Sequence, residues 1–187
     1  MTMARHKYAR IERERRFLLD RFPAGARSVR IRRILDRYIE GTALRLRKQS
    51  DDGAPDVFKL TQKIPGRAGG SQQGLITSMY LTNDEFSLLA QLPAADLIKT
   101  RYSVPPFGID VFEGGLEGLI LAEAEFDSAA AADSLTSPSF ALHEVTADDR
   151  FTGGQLSHAS RRQLDTWLME YGIRLRGGLK DLDATGD

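Results

Sequence analysis

The sequence contains no cysteine, which excludes disulfide bonds, thiolate nucleophiles and zinc sites built on thiolates. It also has no excess of charge of either sign, since 26 basic side chains balance 26 acidic ones. The chain therefore offers no bulk attraction to nucleic acid or to an anionic membrane, and any electrostatic function must be local. No apolar run is long enough to span a membrane, and the arginine-rich N-terminus contains no apolar segment. We expect a cytoplasmic protein without a membrane partner.

What the sequence does have is alternation of polar and apolar residues over its first two thirds. A period of two residues is typical of β-strands with one buried face. Eight segments show it, which is enough to close a barrel. The expected fold is α+β and mainly antiparallel β, an eight-stranded β-barrel tunnel with a few flanking helices. The expected strands cover residues 11–19, 31–39, 43–48, 57–63, 74–81, 99–104, 108–112 and 119–126.

Three helices are expected beside the barrel. Thr82 and Glu85 form the pattern of a capping box ahead of a short helix that ends by Leu92. Residues 128–135 are rich in alanine, and residues 155–171 carry apolar side chains at helical spacing, which predicts one long helix packed on the core. The length suits one domain, for which we predict residues 1–176, followed by a flexible tail at 177–187.

Charged residues recur at every second position in several of these strands. Alternate side chains of a strand share a face, so Glu12, Glu14 and Arg16 line one surface while Arg13 and Arg15 point the other way. For a single strand, a charged face that meets water is the ordinary explanation. Repetition favours an alternative, in which the charged faces line the interior of a closed barrel. The other charges in this pattern are Arg45, Arg47, Lys63, Lys99, Arg101, Asp110, Glu123 and Glu125.

A tunnel lined by acids and bases needs ligands of both signs, because crowded carboxylates repel and unpaired buried charges are costly. Magnesium or manganese suits the acids, since both are hard ions that bind oxygen and bridge carboxylates to phosphates. Arginine and lysine side chains hold phosphate oxygens. These residue types together predict a triphosphate compound as the partner.

An ordered series of motifs over residues 11–151 resembles the CYTH-domain proteins, also called triphosphate tunnel metalloenzymes. The series opens with Glu12-x-Glu14-x-Arg16 followed by Phe-Leu-Leu, where the usual family signature is Glu-x-Glu-x-Lys. It continues in order through Tyr38, Arg45-x-Arg47, Leu60-Thr61-x-Lys63, Lys99-Thr100-Arg101-Tyr102, Asp110-Val111-Phe112, Gly114-x-Leu116-x-Gly118-Leu119, Ala122-Glu123-x-Glu125, Glu144-Val145-Thr146 and Asp149-Arg150-Phe151.

The resemblance implies an eight-stranded antiparallel tunnel that binds a triphosphate with one or two divalent cations. Our mechanistic hypothesis is a water nucleophile activated by metal or by Glu12 or Glu14, with Tyr38 adjusting Arg16. These four are the predicted catalytic residues. The predicted phosphate-binding residues are Arg16, Arg45, Arg47, Lys63, Lys99 and Arg101. The predicted metal-binding residues are Glu12, Glu14, Asp110, Glu123 and Glu125.

Three positions depart from the usual family pattern. Arg16 replaces the signature lysine, which exchanges a compact ammonium for a wider fork. No Asp or Glu occurs between Asp56 and Asp84, so a second acid pair that is common in the family is missing. Asp36 stands where many bacterial members have a glutamine. The missing acids put a second metal site in doubt, and the role of Asp36 is not evident from the sequence.

Three functions remain open. Hydrolysis of inorganic tripolyphosphate is favoured over hydrolysis of ATP or thiamine triphosphate, because the chain shows no extra module for a base or sugar. A class IV-type adenylate cyclase is the runner-up. A noncatalytic triphosphate- or polyphosphate-binding protein is the third, in view of Arg16 and the missing acid pair. Neutral net charge does not favour RNA as a partner.

The glycine-rich segment 66–70 lacks the Lys-Ser/Thr of a P-loop and predicts a hairpin. Both a monomer and a homodimer are compatible with the sequence.

Overall fold

The computed structural model describes residues 7–66 and 72–175. Nine strands lie in this part of the chain. Their bounds are β1 Arg10–Leu19, β2 Arg30–Ile39, β3 Leu44–Asp51, β4 Val57–Pro65, β5 Gln72–Leu81, β6 Ala94–Val104, β7 Phe107–Phe112, β8 Ile120–Glu125 and β9 His143–Glu144.

Eight of these strands form a closed antiparallel barrel in the order β5-β4-β3-β2-β6-β7-β8-β1. The barrel closes because β5 pairs with β1 as well as with β4. The expected fold is thereby confirmed. Two features were not foreseen. Strand β6 begins five residues earlier than expected, and the two-residue strand β9 pairs with β1 beside Phe17 and Leu18.

Four helices flank the barrel in the described residues: α1 Asn83–Leu89, α2 Ala129–Ser134, α3 Gly153–His158 and α4 Arg161–Glu170. The first two confirm the predicted helices, and the capping box of Thr82 and Glu85 is present. The prediction of one long helix over residues 155–171 is wrong. Ser160 begins a second helix there, because its hydroxyl accepts from the backbone of Gln163 while the Gln163 side chain accepts from the backbone of Ser160.

The barrel interior is polar in one part and apolar in the next. On the inward face of β1, the change falls between Arg16 and Leu18. Leu18 belongs to a buried cluster with Leu97, Leu121 and residues of the helices, among them Leu164 of α4. Each such side chain contributes roughly 1.5–3 kcal/mol when fully buried. The helices therefore cover the apolar part of the barrel interior, which side chains fill. The polar part next to it remains open as a cavity.

No helix in the described part of the chain is long and apolar enough to cross a membrane. The hairpin predicted at the glycine-rich segment falls on residues 67–70, and the flexible tail on residues 177–187. Both lie outside the residues that the structure describes.

Candidate active site

The barrel encloses a cavity of about 660 Å³, to which seven of its strands and the segment 146–155 contribute side chains. Among the described lining residues, eight are cationic and five are acidic, an excess of three positive charges. Eleven of the twelve residues that the sequence predicted for the site line this cavity, and Asp110 is the exception. The eleven are Glu12, Glu14, Arg16, Tyr38, Arg45, Arg47, Lys63, Lys99, Arg101, Glu123 and Glu125.

Strands β1 and β8 form an acidic wall. Their register sets Glu14 directly opposite Glu125, and Arg16 directly opposite Glu123. Like charges directly opposite on a sheet destabilise it, and burial adds to the cost. Burial, with the nearby charge of Glu123 as the next cause, raises the pKa of the Glu14 carboxyl from 4.5 to about 7. The acidic wall therefore carries a carboxylate that holds a proton near neutral pH.

Cations from other strands reach the acidic wall. The Nζ atom of Lys63 donates to both oxygens of Glu12, at 2.8 and 3.1 Å, and Arg101 donates to Glu123 through Nη2. Burial would raise the pKa of Glu123, but Lys99, Arg101 and Arg16 outweigh it and hold that pKa well below its usual range. Glu123 is thus ionised, whereas Glu14 gains and loses its proton near neutral pH.

A divalent cation is the ligand that this donor set fits chemically. Four glutamates on two neighbouring strands supply carboxylate oxygens, the donors that magnesium and manganese prefer. As the side chains stand, no group of three or more carboxylates or histidines in the described residues is placed to hold a metal. Glu12 and Glu123 instead bind cationic side chains. A metal would take the place of those cations at the carboxylates.

Arg16, the residue that replaces the signature lysine, is 2% exposed and held by the segment after β9. Its Nη2 donates to the carbonyl oxygen of Thr146 at 3.0 Å, and its backbone N–H donates to Thr146 Oγ1 at 3.0 Å. Its Nη1 lies 3.4 Å from Glu14 Oε1. The guanidinium reaches both Thr146 and Glu14 because its N–H groups diverge in a plane. Thr146, to which the sequence assigned no role, therefore fixes Arg16.

The same segment is anchored from outside the barrel. Glu144 accepts from Nε and Nη2 of Arg15 at 2.8 and 2.6 Å, and it also accepts from Thr146 Oγ1 at 2.7 Å. Arg15 points outward because it alternates with Glu14 and Arg16, as expected from the strand period. Arg15, which points outward from β1, thus anchors the segment that contains Thr146. That segment in turn holds Arg16, which points inward.

Strands β2 and β3 form a first basic wall, on which Arg47 and Arg45 face the cavity. Behind them lies Asp36, which has no exposed surface. Its two carboxylate oxygens accept from Nε and Nη2 of Arg47 at 2.5 and 2.6 Å. Burial would raise the pKa of Asp36, but the two arginines outweigh it and hold that pKa far below its usual range. Asp36 is therefore a permanent anion under this wall.

Strands β6 and β7 form a second basic wall of the same design. Lys99 and Arg101 face the cavity, and both donate to Asp110, which has no exposed surface. Arg101 lies across Gly108, where a Cβ atom would come within 3.1 Å of its side chain. The structure thus places Asp110 behind the wall, with both oxygens bonded to cations. The prediction that Asp110 holds metal is not supported by this position.

The wall formed by β5 is uncharged where its side chains are described. Ile76 and Ser78 line the cavity there, and the Ser78 hydroxyl is 2.9 Å from that of Thr61 on β4. At the start of this wall Gly74 has a φ of +143°, and a Cβ atom would lie 2.1 Å from the carbonyl oxygen of Ile64. Only glycine fits so close an approach of β5 to β4.

Tyr38 stands on β2 between Arg45 and the start of α3. Tyr38 lies directly opposite Arg45 in the strand register. Burial, followed by the charge of Asp36, raises the pKa of Tyr38 to about 12. A Cβ atom at Gly153 would come within 2.0 Å of the Tyr38 hydroxyl oxygen. Tyr38 therefore links the first basic wall to α3. The predicted effect of Tyr38 on Arg16 stays a prediction.

Two comparisons place the chain among known proteins. It is similar to the inorganic triphosphatase of Nitrosomonas europaea, with 35% identity over 156 residues that span 78% of this chain and 96% of the relative. It also resembles a crystal structure described as that of an inorganic triphosphatase, with a TM-score of 0.52 and 27% identity over 79% of this chain and 95% of the other. No family model matches the chain.

Proposed function

Because the chain belongs to the CYTH superfamily of triphosphate tunnel metalloenzymes, we propose that it hydrolyses a triphosphate compound, with inorganic tripolyphosphate as the preferred substrate. The observation that carries this proposal is the excess of cationic over acidic side chains inside a closed barrel. Such an interior attracts a compact polyanion and holds it away from water, where hydrogen bonds to charged groups are strongest.

The cationic walls supply the binding of the phosphates. Arg45 and Arg47 face the cavity from one side, Lys99 and Arg101 from another, and Arg16 from the acidic wall. Because Asp36 and Asp110 hold several of these cations in place before any ligand arrives, little reorganisation accompanies binding. Phosphoryl transfer depends mainly on such positioning and on stabilisation of the charge that develops on the departing oxygen.

The reaction that fits the cavity is attack of water on a terminal phosphorus atom. The bond from that phosphorus to its bridging oxygen breaks, so that tripolyphosphate yields orthophosphate and pyrophosphate. We assign the proton of the attacking water to Glu14, since a carboxylate with a pKa near 7 is a useful base at neutral pH. The arginines and lysines stabilise the negative charge left on pyrophosphate.

We propose magnesium or manganese as the cofactor, held by Glu12, Glu123 and Glu125, which leaves Glu14 beside it to take the proton. When bound there, a divalent cation would neutralise phosphate charge and polarise phosphate oxygens. We propose a single cation at this site, because the β5 wall adds no carboxylate in its described part.

The preference for tripolyphosphate rests on the similarity to a protein named inorganic triphosphatase. The test is incubation of the purified protein with tripolyphosphate, ATP and thiamine triphosphate, each with magnesium or manganese, and separation of all products. We expect orthophosphate, released fastest from tripolyphosphate. Cyclic AMP and pyrophosphate from ATP would instead establish a cyclase. If tripolyphosphate raises the melting temperature but no product forms, the protein binds triphosphate without hydrolysing it.

A further inference from the structure

Asp36 is a carboxylate for which the proposed reaction has no direct use. It lies in the middle of β2, has no exposed surface, and is separated from the cavity by the arginines in front of it. Taking an ion out of water is unfavourable unless its partners and hydrogen bonds compensate for the lost hydration. We therefore look for the role of this carboxylate in its effect on its partners, Arg45 and Arg47.

Its contact with Arg47 fixes the orientation of a guanidinium. Two parallel hydrogen bonds, at 2.5 and 2.6 Å, join one edge of that group to the carboxylate. Such a two-pronged contact sets the plane of the guanidinium as well as its position. It engages two of the five N–H groups, and the other three make no hydrogen bond within the described residues. Arg47 lines the cavity, so these groups can meet a ligand there.

Its contact with Arg45 is electrostatic and not a hydrogen bond. Arg45 Nε lies 3.6 Å from Asp36 Oδ1, beyond hydrogen-bond distance. This Nε atom is buried and has no hydrogen-bond partner in the described residues. Arg45 is thus attracted to the carboxylate without being saturated by it. Asp36 keeps two guanidiniums with the same charge side by side, since one anion lies beneath both.

We propose that Asp36 is a positioning residue, which holds Arg45 and Arg47 with free N–H groups directed at the phosphates of the ligand. This inference deepens the proposed function and rests on it for the identity of the ligand. Asp36 itself does not touch the substrate. The alternative is that Asp36 serves only as a counter-charge, and the two roles predict opposite effects on ligand binding.

The discriminating variant is Asp36→Asn, which keeps the size of the side chain and removes its charge. If Asp36 were only a counter-charge, its loss would make the cavity more positive and tripolyphosphate would bind more tightly. If Asp36 positions the arginines, binding weakens in spite of the added positive charge. We expect the dissociation constant of tripolyphosphate to rise by about tenfold or more, because misplaced ligand contacts lose most of their value. An unchanged or lower dissociation constant would overturn the proposal.

Binding is measured by titration calorimetry in EDTA, so that the result does not depend on turnover. The matched control is Asp96→Asn, which removes the carboxylate that Arg37 contacts at 2.9 Å on the outer face of β2 and β6. That variant should bind tripolyphosphate like the wild type. A wild type that binds but does not hydrolyse would defeat the proposed activity and leave the positioning role in place.

A second measurement covers the case in which Asp36→Asn does not fold. In the wild type, the Nε proton of Arg47 is hydrogen-bonded to Asp36 and should exchange slowly with water, which NMR detects and Arg47→Lys assigns. We expect this signal before and after tripolyphosphate is added. Its absence, or its loss when the ligand binds, would show that Arg47 leaves Asp36, and the proposal would be wrong.

Discussion

The acidic wall of β1 and β8 and the basic wall of β6 and β7 both carry carboxylates, but at different depths. Glu14 and Glu123 lie at the cavity surface, where they influence each other's protonation. Asp110 lies behind Lys99 and Arg101, and each of its oxygens accepts a hydrogen bond from a cation. A carboxylate at the cavity surface can contact a ligand. A carboxylate covered by other side chains can act only through those side chains. The depth of the carboxylate therefore separates the two roles.

The largest expected effect tests the covered carboxylate. Asp110→Asn removes the carboxylate that Lys99 and Arg101 share, so Lys99 loses its ion pair while Arg101 keeps its contact with Glu123. The loss of one member of a buried ion pair costs about 3–5 kcal/mol in the free energy of unfolding. Urea denaturation measures that loss. Asp165→Asn is the control, because among the described residues this exposed carboxylate pairs with Arg161 alone, on the surface of α4. Such pairs contribute about 0–1 kcal/mol.

The same variant separates a counter-ion from a metal ligand. We expect folded Asp110→Asn to bind manganese with unchanged affinity, as measured by electron paramagnetic resonance. If manganese binding is lost while the protein stays folded, Asp110 is a metal ligand as the sequence predicted, and the contrast between the walls disappears.

The next effect tests the surface carboxylate. Glu123→Gln removes a cavity charge that the proposed metal site needs, while Arg101 keeps its contact with Asp110. We expect metal-dependent release of orthophosphate from tripolyphosphate to fall by about 10²–10³, the range for loss of one electrostatic contact to the transition state. Circular dichroism should show an intact fold. The control is Glu40→Gln, at an exposed position outside the cavity. Unchanged turnover in Glu123→Gln would refute the assignment of Glu123 to the metal site.

A third effect concerns pH and the other surface carboxylate. The pKa of Glu14 is 4.5 in the unfolded chain and about 7 in the folded protein, so the folded state binds more protons between these values. The free energy of unfolding should therefore decline as the pH rises from about 4.5 to 7, by up to about 3 kcal/mol from this group. Denaturation of the metal-free wild type and of Glu14→Gln over this range isolates the contribution. Parallel curves for the two proteins would contradict the raised pKa.

Much of the fold could be predicted because the barrel repeats one simple pattern. Alternation located the eight strands of the barrel and put Arg15 outside and Arg16 inside, as the hydrogen bonds of both residues show. The break between α3 and α4 was missed since apolar spacing continues across Ser160, and only the capping pattern of Ser160 and Gln163 marks it. Strand β9 has two residues, too few for any periodicity.

The sequence could predict which residues belong to the site, but not which of them lie at the cavity and which are covered by other side chains. Alternation identifies which side chains face the interior, and both Asp110 and Glu123 do so. It does not tell which of them other side chains will cover, because that depends on long cations that reach across strands, such as Arg101 over Gly108. For the same reason the sequence left Asp36 without a role, since its partner Arg47 lies on the neighbouring strand.

The smallest expected effect concerns Tyr38, which the comparison of the walls leaves out. This residue on the first basic wall is confined by a helix backbone. Gly153→Ala would place a methyl group within 2.0 Å of the Tyr38 hydroxyl, and we expect the crowding to cost about 1–3 kcal/mol in the free energy of unfolding. Tyr38→Phe removes that hydroxyl, so the double variant should lose less stability than the sum of the two single variants, as chemical denaturation can measure. Additive losses would show that α3 and Tyr38 are not in contact, and that the first basic wall depends on its buried carboxylate alone.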